Sequence, residues 1–348
     1  MTQKIVLFDS KNLQNLVCLS PFVSAEIDVQ GNVRMCGCQA WMPTTVGNLF
    51  QQSISDILSS PLARAIRTSI ADGTYRYCDE KRCGIIANQA LNTKDTVPPE
   101  VAAQLQDNTL WSLPHEIFLA GDLTCNLSCP SCRQSVITVS DTEVDQQIKL
   151  GEILRQNLFA QPTDQHIKLH VSTSGEVFAS ARLLSFITGL DAQNFPNLRL
   201  HLQTNGLLMP TRWHRLGNMA QRVAKVTITV DAAQADTYEK LRRGGRWTDI
   251  QQALKWSGNH CSVNHIDLHL RMVVQQDNWS QMLDFYNMAQ KYQATQVEFT
   301  RITNWGTFSP NEFSKIDVFD PGHADYSRAQ ELLNHVKVLP KVFVSGGL

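Results

Sequence analysis

The chain has 348 residues, enough for one large α/β domain and a smaller one. Hydrophobic residues make up 43% of it, and the net charge of −1 gives no electrostatic reason to expect a nucleic acid or an anionic membrane as partner. The amino terminus lacks the apolar core of a signal peptide, and no apolar run approaches the ~18 residues that span a bilayer. The sequence therefore predicts a cytoplasmic protein.

Residues 1–84 are predicted to form a small α+β domain that carries five of the nine cysteines. A Gln-Gly-Asn turn between two short apolar strands, 24–29 and 33–35, is typical of a tight hairpin. Such a hairpin would hold Cys18 near Cys36. In a cytoplasmic chain, cysteines in this number indicate metal or redox chemistry more than disulfides.

The rest of this segment is predicted to be helical and ends in two further cysteines. Apolar residues recur at helical spacing over 53–71, and Cys78 and Cys83 follow. Residues 85–113, which contain a Val-Pro-Pro-Glu stretch, are predicted to be a linker with a short helix.

From Glu116 onward, apolar runs alternate with amphipathic segments. The predicted strands are 116–121, 167–171, 198–203, 226–230, 266–274 and 296–302. The predicted helices are about 141–158, 177–190, 211–222, 235–256 and 279–292. Successive strand–helix units indicate parallel strands with helical crossovers, closed as a barrel or open as a doubly wound sheet. Residues 307–348, with one helix near 325–337, are expected to cover the open side of the barrel.

Three cysteines follow the first of these strands in a Cys-x3-Cys-x2-Cys pattern: Cys125, Cys129 and Cys132. Three thiolates in one loop suit an iron–sulfur cluster. A four-iron cube on three cysteines leaves one iron without a protein ligand. The alternatives are a zinc site and a chance grouping of cysteines, but structural zinc normally takes four protein ligands.

This triplet resembles the signature of the radical S-adenosylmethionine (SAM) enzymes. The resemblance implies a partial (β/α)6 barrel over about 114–306 and a [4Fe–4S] cluster on Cys125, Cys129 and Cys132, whose open iron chelates SAM. It also implies reductive cleavage of SAM to a 5′-deoxyadenosyl radical, which abstracts hydrogen from a substrate.

The amino-terminal segment resembles the SPASM domain, which holds auxiliary clusters in many radical SAM enzymes that modify peptides. The resemblance rests on the Cys18-x12-Gly31-x4-Cys36 spacing, the Gly47-Asn48-Leu49 stretch and the closing Cys78-x4-Cys83 pair. It implies one auxiliary [4Fe–4S] cluster on Cys18, Cys36, Cys78 and Cys83. Cys38 is then spare: it could replace one of these four ligands, serve as a hydrogen donor, or have no role. A zinc module with the same ligands is the alternative, and the family usually carries this domain after the barrel.

Loops after the predicted strands supply candidate SAM contacts. The stretch Ser174-Gly175-Glu176 resembles the family's Gly-Gly-Glu motif, although Glu176 could instead cap a helix. Thr229 ends strand four where the family often has a ribose-contacting hydroxyl, and it also suits a plain strand. Arg242 is preferred over Arg243 as the partner of the SAM carboxylate, because a guanidinium fork fits a carboxylate.

The substrate is the least determined part of the prediction. Arg301 and Asn304 follow strand six and are candidate substrate contacts, or braces of their loop. The SPASM resemblance implies a peptide or protein substrate and a flavodoxin- or ferredoxin-type electron donor. A sugar or amino-acid derivative is the alternative substrate. A non-catalytic iron–sulfur or zinc redox protein is the more distant alternative. Cys261 precedes strand five and is expected to be inert.

Overall fold

The structure, a computed structural model, describes residues 5–8, 13–120, 122–137, 139–171 and 174–348. Two compact units divide the chain. Unit 1 comprises Met1–Asp122, Ser140–Ser174 and Ser185–Leu200, and unit 2 comprises Leu123–Val139, Gly175–Leu184 and His201–Leu348. Among the described residues, no helix combines the length and the apolar character needed to cross a bilayer.

Unit 1 combines short elements from the cysteine-bearing segment with the first strands of the α/β pattern. Its strands are β1 (Leu16–Val17), β2 (Ser24–Asp28), β3 (Asn32–Arg34), β4 (Gly47–Asn48), β5 (Asn92–Thr93), β6 (Glu116–Ala120) and β7 (Ile167–Val171). Its helices are α1 (Ser20–Val23), α2 (Ile54–Leu58), α3 (Pro61–Ala71), α4 (Gly84–Ala87), α5 (Pro99–Gln106) and α6 (Asp141–Leu158). Two further elements, α7 (Ala181–Thr188) and β8 (Leu198–Thr204), contribute residues to both units.

The predicted hairpin extends the parallel strands of unit 1. The strand order is β4-β3-β2-β6-β7, followed by the beginning of β8. Strand β2 pairs antiparallel with β3 and parallel with β6, with Ser24 opposite Glu116. The core side of these strands is fully buried, as Ile27, Leu119 and Leu169 show. The hairpin itself is as predicted, but its parallel pairing with β6 was not.

One predicted helix, 53–71, is divided in two in the structure. Ser53 caps α2 through a reciprocal pair of hydrogen bonds with Asp56. The chain then turns, and Ser60 caps α3 with Pro61 in the first turn of that helix. Because Pro cannot donate to the preceding turn, a Ser-Pro pair starts a helix more readily than it continues one.

Unit 2 contains the later strand–helix pairs. Its strands after β8 are β9 (Val223–Thr229), β10 (Asp267–Val274), β11 (Gln296–Arg301) and β12 (Val342–Ser345). Its helices are α8 (Met209–Arg212), α9 (Ala235–Leu241), α10 (Trp247–Val263), α11 (Met282–Lys291), α12 (Pro310–Ile316) and α13 (Tyr326–Val336), with 3₁₀ segments at Trp213–Arg222 and Trp279–Gln281. The α/β class with parallel strands, as predicted from the sequence, is confirmed.

The strands of unit 2 are ordered from the end of β8 through β9, β10 and β11 to β12. The pairings of β9 with β10, β10 with β11 and β11 with β12 are all parallel. The carboxyl ends of parallel strands meet at one edge, where ligands bind in such folds. Strand β12 was not predicted, since its four residues are too short to give a clear periodicity.

The predicted helix 235–256 is also divided in two. It stops after Leu241, and α10 begins at Trp247. Gly244 has φ +98°, a backbone conformation that glycine adopts without strain. Arg242 therefore occupies the carboxyl-terminal cap of α9 rather than the middle of a long helix.

Candidate metal and cofactor site

The cysteine triplet lies in a loop that is tightly turned at its end. The backbone N–H groups of Cys132 and Arg133 both donate to the Cys129 carbonyl, at 2.9 Å each. Cys129 is buried, Cys125 is half-buried and Cys132 is exposed. Ser128 N–H donates to the Arg243 carbonyl at 3.0 Å, which ties the loop to the segment after α9.

Each sulfur of the triplet accepts a hydrogen bond from a nearby N–H group. Asn205 Nδ2 lies 3.8 Å from Cys125 Sγ, Arg242 Nη1 lies 3.6 Å from Cys129 Sγ, and Arg133 Nη2 lies 3.4 Å from Cys132 Sγ. Burial raises the pKa of the Cys125 thiol, and the Leu127 N–H and the Arg133 guanidinium oppose the rise. Donors of this kind stabilise thiolates, the form that binds metal.

Arg242 lies beside the buried carboxylate of Asp231. The Arg242 Nε atom is 3.1 Å from Asp231 Oδ2, and the two side chains are only 12% and 4% exposed. The Nε–H group does not point at this oxygen and so does not form a hydrogen bond with it. Neither Nε nor Nη2 has a hydrogen-bond partner among the described residues. Burial would lower the pKa of Arg242, but Asp231 and the Cys129 thiolate keep it above its ordinary value. This cation therefore stays charged and has free N–H groups for an anionic ligand.

The backbone and remaining oxygen of Asp231 fix its side chain. Its φ is +65°, in the left-handed region that Asp tolerates better than most residues. Asp231 Oδ1 accepts the N–H of Val273 at 2.7 Å, and its carbonyl accepts Asn278 Nδ2 at 2.8 Å. The carboxylate is thus positioned by β10 and in turn positions Arg242.

Glu176 is engaged as a brace between neighbouring loops. Its carboxylate accepts Phe178 N–H at 3.1 Å, Thr204 Oγ1–H at 2.7 Å and Asn205 N–H at 2.6 Å. Its own N–H donates to the Thr124 carbonyl, immediately before the triplet. Burial raises the pKa of Glu176, although these donors oppose the rise. A SAM contact in this segment would therefore have to come from backbone groups, as the family resemblance implies.

The other predicted SAM contacts, Ser174, Gly175 and Thr229, are half-buried. Gly175 is half-buried, and Ser174 Oγ lies 3.3 Å from the Ala120 carbonyl and 3.4 Å from that of Asp122. The two residues before this motif, Ser172 and Thr173, lie outside the described residues. Thr229 is half-buried at the end of β9, and no hydrogen bond to its hydroxyl comes from the described part of the chain. Its contact with SAM stays a prediction.

Sequence reasoning missed two residues of this site. Asn205 lies directly after β8 in a Thr-Asn-Gly stretch, and its amide donates to Cys125 Sγ and, at 2.8 Å, to Asn126 Oδ1. Arg133 follows the triplet directly, but its position in the sequence does not indicate which atoms its long side chain contacts. The position of Asn205 directly after a strand was the one available signal.

The predicted substrate contacts are Arg301 and Asn304. Arg301 bonds to the cap at the end of α12, and Asn304 bonds within its own loop. Arg301 forms a bidentate pair with Asp317, with an Nη2–Oδ2 distance of 2.8 Å. Asn304 donates to the Phe308 carbonyl at 2.8 Å and accepts the N–H of Gly306 at 2.9 Å. These contacts favour the bracing alternative, and substrate binding by either residue stays a prediction.

The amino-terminal cysteines surround a separate cavity within unit 1. Its lining includes Cys18, Cys36, Cys78 and Cys83, the four cysteines chosen from the sequence, and does not include Cys38. Tyr75 also lines it, with its hydroxyl accepting Cys18 N–H and donating to the Leu16 carbonyl, both at 3.0 Å. The Tyr75 carbonyl accepts Cys78 N–H at 2.9 Å. One buried residue thus orients two of the four cysteines.

The donor set of this cavity fits an iron–sulfur cluster chemically. Burial raises the pKa of Cys18 to about 11 and that of Cys36 well above its usual range. A bound cation inverts this effect by stabilising the thiolates. Within the described residues, no three His, Cys, Asp or Glu side chains converge on one point as the ligands of a single ion would. The thiolates of a four-iron cluster bind different irons and need no common point.

Family profiles match both cysteine-bearing parts of the chain. The SPASM iron–sulfur cluster-binding domain matches residues 18–84, and the radical SAM superfamily matches residues 123–289. Residues 123–289 therefore form a radical SAM domain. The SPASM domain precedes the radical SAM domain, and the two domains imply [4Fe–4S] clusters and SAM as cofactors.

Solved structures of radical SAM proteins resemble this chain only distantly. Streptococcus suis SuiB bound to the precursor peptide SuiA is 14% identical, with 71% of this chain and 52% of that chain covered and a TM-score of 0.41. A radical SAM methyltransferase from Sphaerobacter thermophilus is 14% identical, with 63% of this chain and 62% of that chain covered and a TM-score of 0.37. The present chain spans about half the length of SuiB. No curated protein matches it.

Removing the hydroxyl of Tyr75 is expected to loosen the SPASM cavity. The Tyr75→Phe variant leaves Cys18 N–H and the Leu16 carbonyl without their partner, and each unpaired buried group costs about 1–3 kcal/mol. We expect a lower urea midpoint and about 10-fold weaker retention of auxiliary iron against a chelator. Tyr77→Phe is the matched control, since no described residue bonds to the Tyr77 hydroxyl. Wild-type values for both measurements in Tyr75→Phe would contradict the positioning role.

Proposed function

We propose that the chain is a radical SAM enzyme that carries its SAM-binding [4Fe–4S] cluster on Cys125, Cys129 and Cys132. The observation that supports this most is the N–H donor beside each of the three sulfurs, together with the free N–H groups of Arg242 next to Cys129. A cluster with an open iron and a zwitterionic ligand requires three thiolates and a cation that still has free N–H groups, and Arg242 is such a cation.

In this proposal the chain's own residues bind and orient the reactants. Arg242 holds the carboxylate of SAM while Asp231 fixes the guanidinium. Asn205 and Glu176 keep the loop that follows β8 against the triplet. When bound, a cluster on this loop supplies the electron that cleaves SAM and so initiates hydrogen abstraction from a substrate C–H bond. Thr229 is the proposed contact of the SAM ribose, and Ser174 and Gly175 are proposed to contact its amino group through the backbone.

We propose a second [4Fe–4S] cluster on Cys18, Cys36, Cys78 and Cys83. The substrate we propose is a peptide or protein, because the SPASM domain is common among radical SAM enzymes that modify peptides. A flavodoxin- or ferredoxin-type protein would supply the electron in the cytoplasm. A neighbouring gene for a short precursor peptide would favour the peptide substrate, and neighbouring sugar-nucleotide genes would favour a small molecule.

The triplet is tested by replacing Cys125, Cys129 and Cys132 together with alanine. Anaerobic reconstitution is expected to give about eight irons per chain in the wild type and about four in the variant, since each cube holds four. The variant should form no 5′-deoxyadenosine from SAM under reducing conditions. Cys261→Ala, which removes a buried thiol with no assigned role, should keep both the iron and the product. A wild-type protein that binds two zinc ions and no labile sulfide would refute both cluster assignments.

A further inference from the structure

Arg133 connects the two ends of the triplet loop through its side chain. Its Nη1 donates to the Leu123 carbonyl at 2.8 Å, before the first cysteine, and its Nη2 donates to Cys132 Sγ at 3.4 Å, at the last. The residue is only 7% exposed. A buried guanidinium is therefore held between a backbone oxygen and a proposed cluster ligand.

This arrangement differs from that of the two other arginines near the triplet. Arg242 has free N–H groups and lies beside Cys129, as expected for a residue that receives a ligand. Arg243 is exposed and donates only to oxygen atoms, those of Ser128, Arg133 and Gln134. Within the described residues, Arg133 alone among these three donates both to a backbone oxygen and to a cysteine sulfur of the triplet loop.

A cation that donates to a cluster thiolate changes the redox balance of that cluster. One-electron reduction adds one negative charge to the cluster, and hydrogen bonds to the sulfurs stabilise the more negative state. Burial keeps solvent and salt from screening the guanidinium. The electron itself comes from the external donor of the proposed function.

We propose that Arg133 is a positioning residue that raises the reduction potential of the cluster on Cys125, Cys129 and Cys132 through its bond to Cys132 Sγ. This inference rests on the proposed function, because it requires a reducible cluster at the triplet. As a consequence, the cluster can accept an electron from a weaker reductant than it could without the hydrogen bond from Arg133.

The test is a potentiometric titration of the reconstituted full-length protein, followed by the electron paramagnetic resonance signal that changes when SAM is added. The response of the signal to SAM distinguishes the triplet cluster from the auxiliary cluster. Arg133→Met is expected to shift the equilibrium about tenfold toward the oxidised cluster, a fall of about 59 mV for one electron. Arg133→Lys keeps the charge without the fork and should shift it less.

Arg243→Met is the matched control, since it removes a guanidinium that donates to the same loop but to none of its sulfurs. A potential in Arg133→Met equal to that of Arg243→Met would overturn the inference, because a purely structural role changes cluster content and leaves the potential unchanged. If Arg133→Met retains no iron, Arg133→Lys and Arg133→Gln decide by the same comparison. A wild-type protein without a SAM-responsive signal would instead refute the proposed function.

Discussion

Replacing Arg242 by methionine is expected to abolish SAM binding and to destabilise the fold by about 3–5 kcal/mol. The destabilisation follows because Asp231, whose side chain is 4% exposed, would keep its charge in a buried place without the cation beside it. The loss of binding follows because the free N–H groups of Arg242 would no longer be available to a carboxylate. Urea unfolding measures the first effect, and calorimetric titration of the reconstituted protein with SAM measures the second.

A double variant separates these two roles of Arg242. In Arg242→Met/Asp231→Asn the buried charge is removed with its partner, and the Asn oxygen can still accept the N–H of Val273. Stability should recover most of the loss, whereas SAM binding should stay absent. Arg243→Met should change neither quantity much, since that side chain is exposed. SAM binding of wild-type strength in the double variant would remove Arg242 from the proposed pocket.

Much of the α/β pattern could be predicted because its elements are regular and strongly periodic. Strand β7 and helix α6 have the predicted bounds, and Ser140 begins that helix with a capping box to Glu143. A capping serine and a glutamate three residues later are local signals that tertiary contacts seldom override. The cysteine pattern was equally local, and its ligand chemistry pointed to a cluster before any fold was known.

The site could be predicted only where a family pattern named the residue. Arg242 was chosen by resemblance. Its place at the end of α9 depends on an interruption of the predicted helix 235–256 that the apolar periodicity did not show. Asn205 donates to a sulfur from a turn, and Arg133 donates to a sulfur through a buried side chain. Sequence spacing does not indicate the direction of either side chain. The parallel pairing of β2 with β6 joins residues about ninety positions apart, which no local signal predicts.

Glu176→Ala is expected to be the other strongly disruptive substitution, and it distinguishes bracing by the carboxylate from direct contact of the carboxylate with SAM. The substitution would leave a cavity where the side chain was. Three hydrogen-bond donors, from Phe178, Thr204 and Asn205, would lose their acceptor there. At about 1–3 kcal/mol for each unpaired buried group, the loss should exceed about 3 kcal/mol. Glu176→Gln, which keeps one oxygen acceptor and the shape, should lose less.

The consequence for the site follows from Asn205, which Glu176 holds by its N–H and which donates to Cys125 Sγ. We expect Glu176→Ala to retain less iron at the triplet after reconstitution, in proportion to its loss of stability. Urea unfolding and iron analysis of the two Glu176 variants, side by side, measure both effects. A brace predicts that stability and cluster content fall together. If Glu176→Ala instead unfolds like the wild type, keeps its cluster and binds SAM poorly, the carboxylate contacts SAM directly and the bracing assignment is wrong.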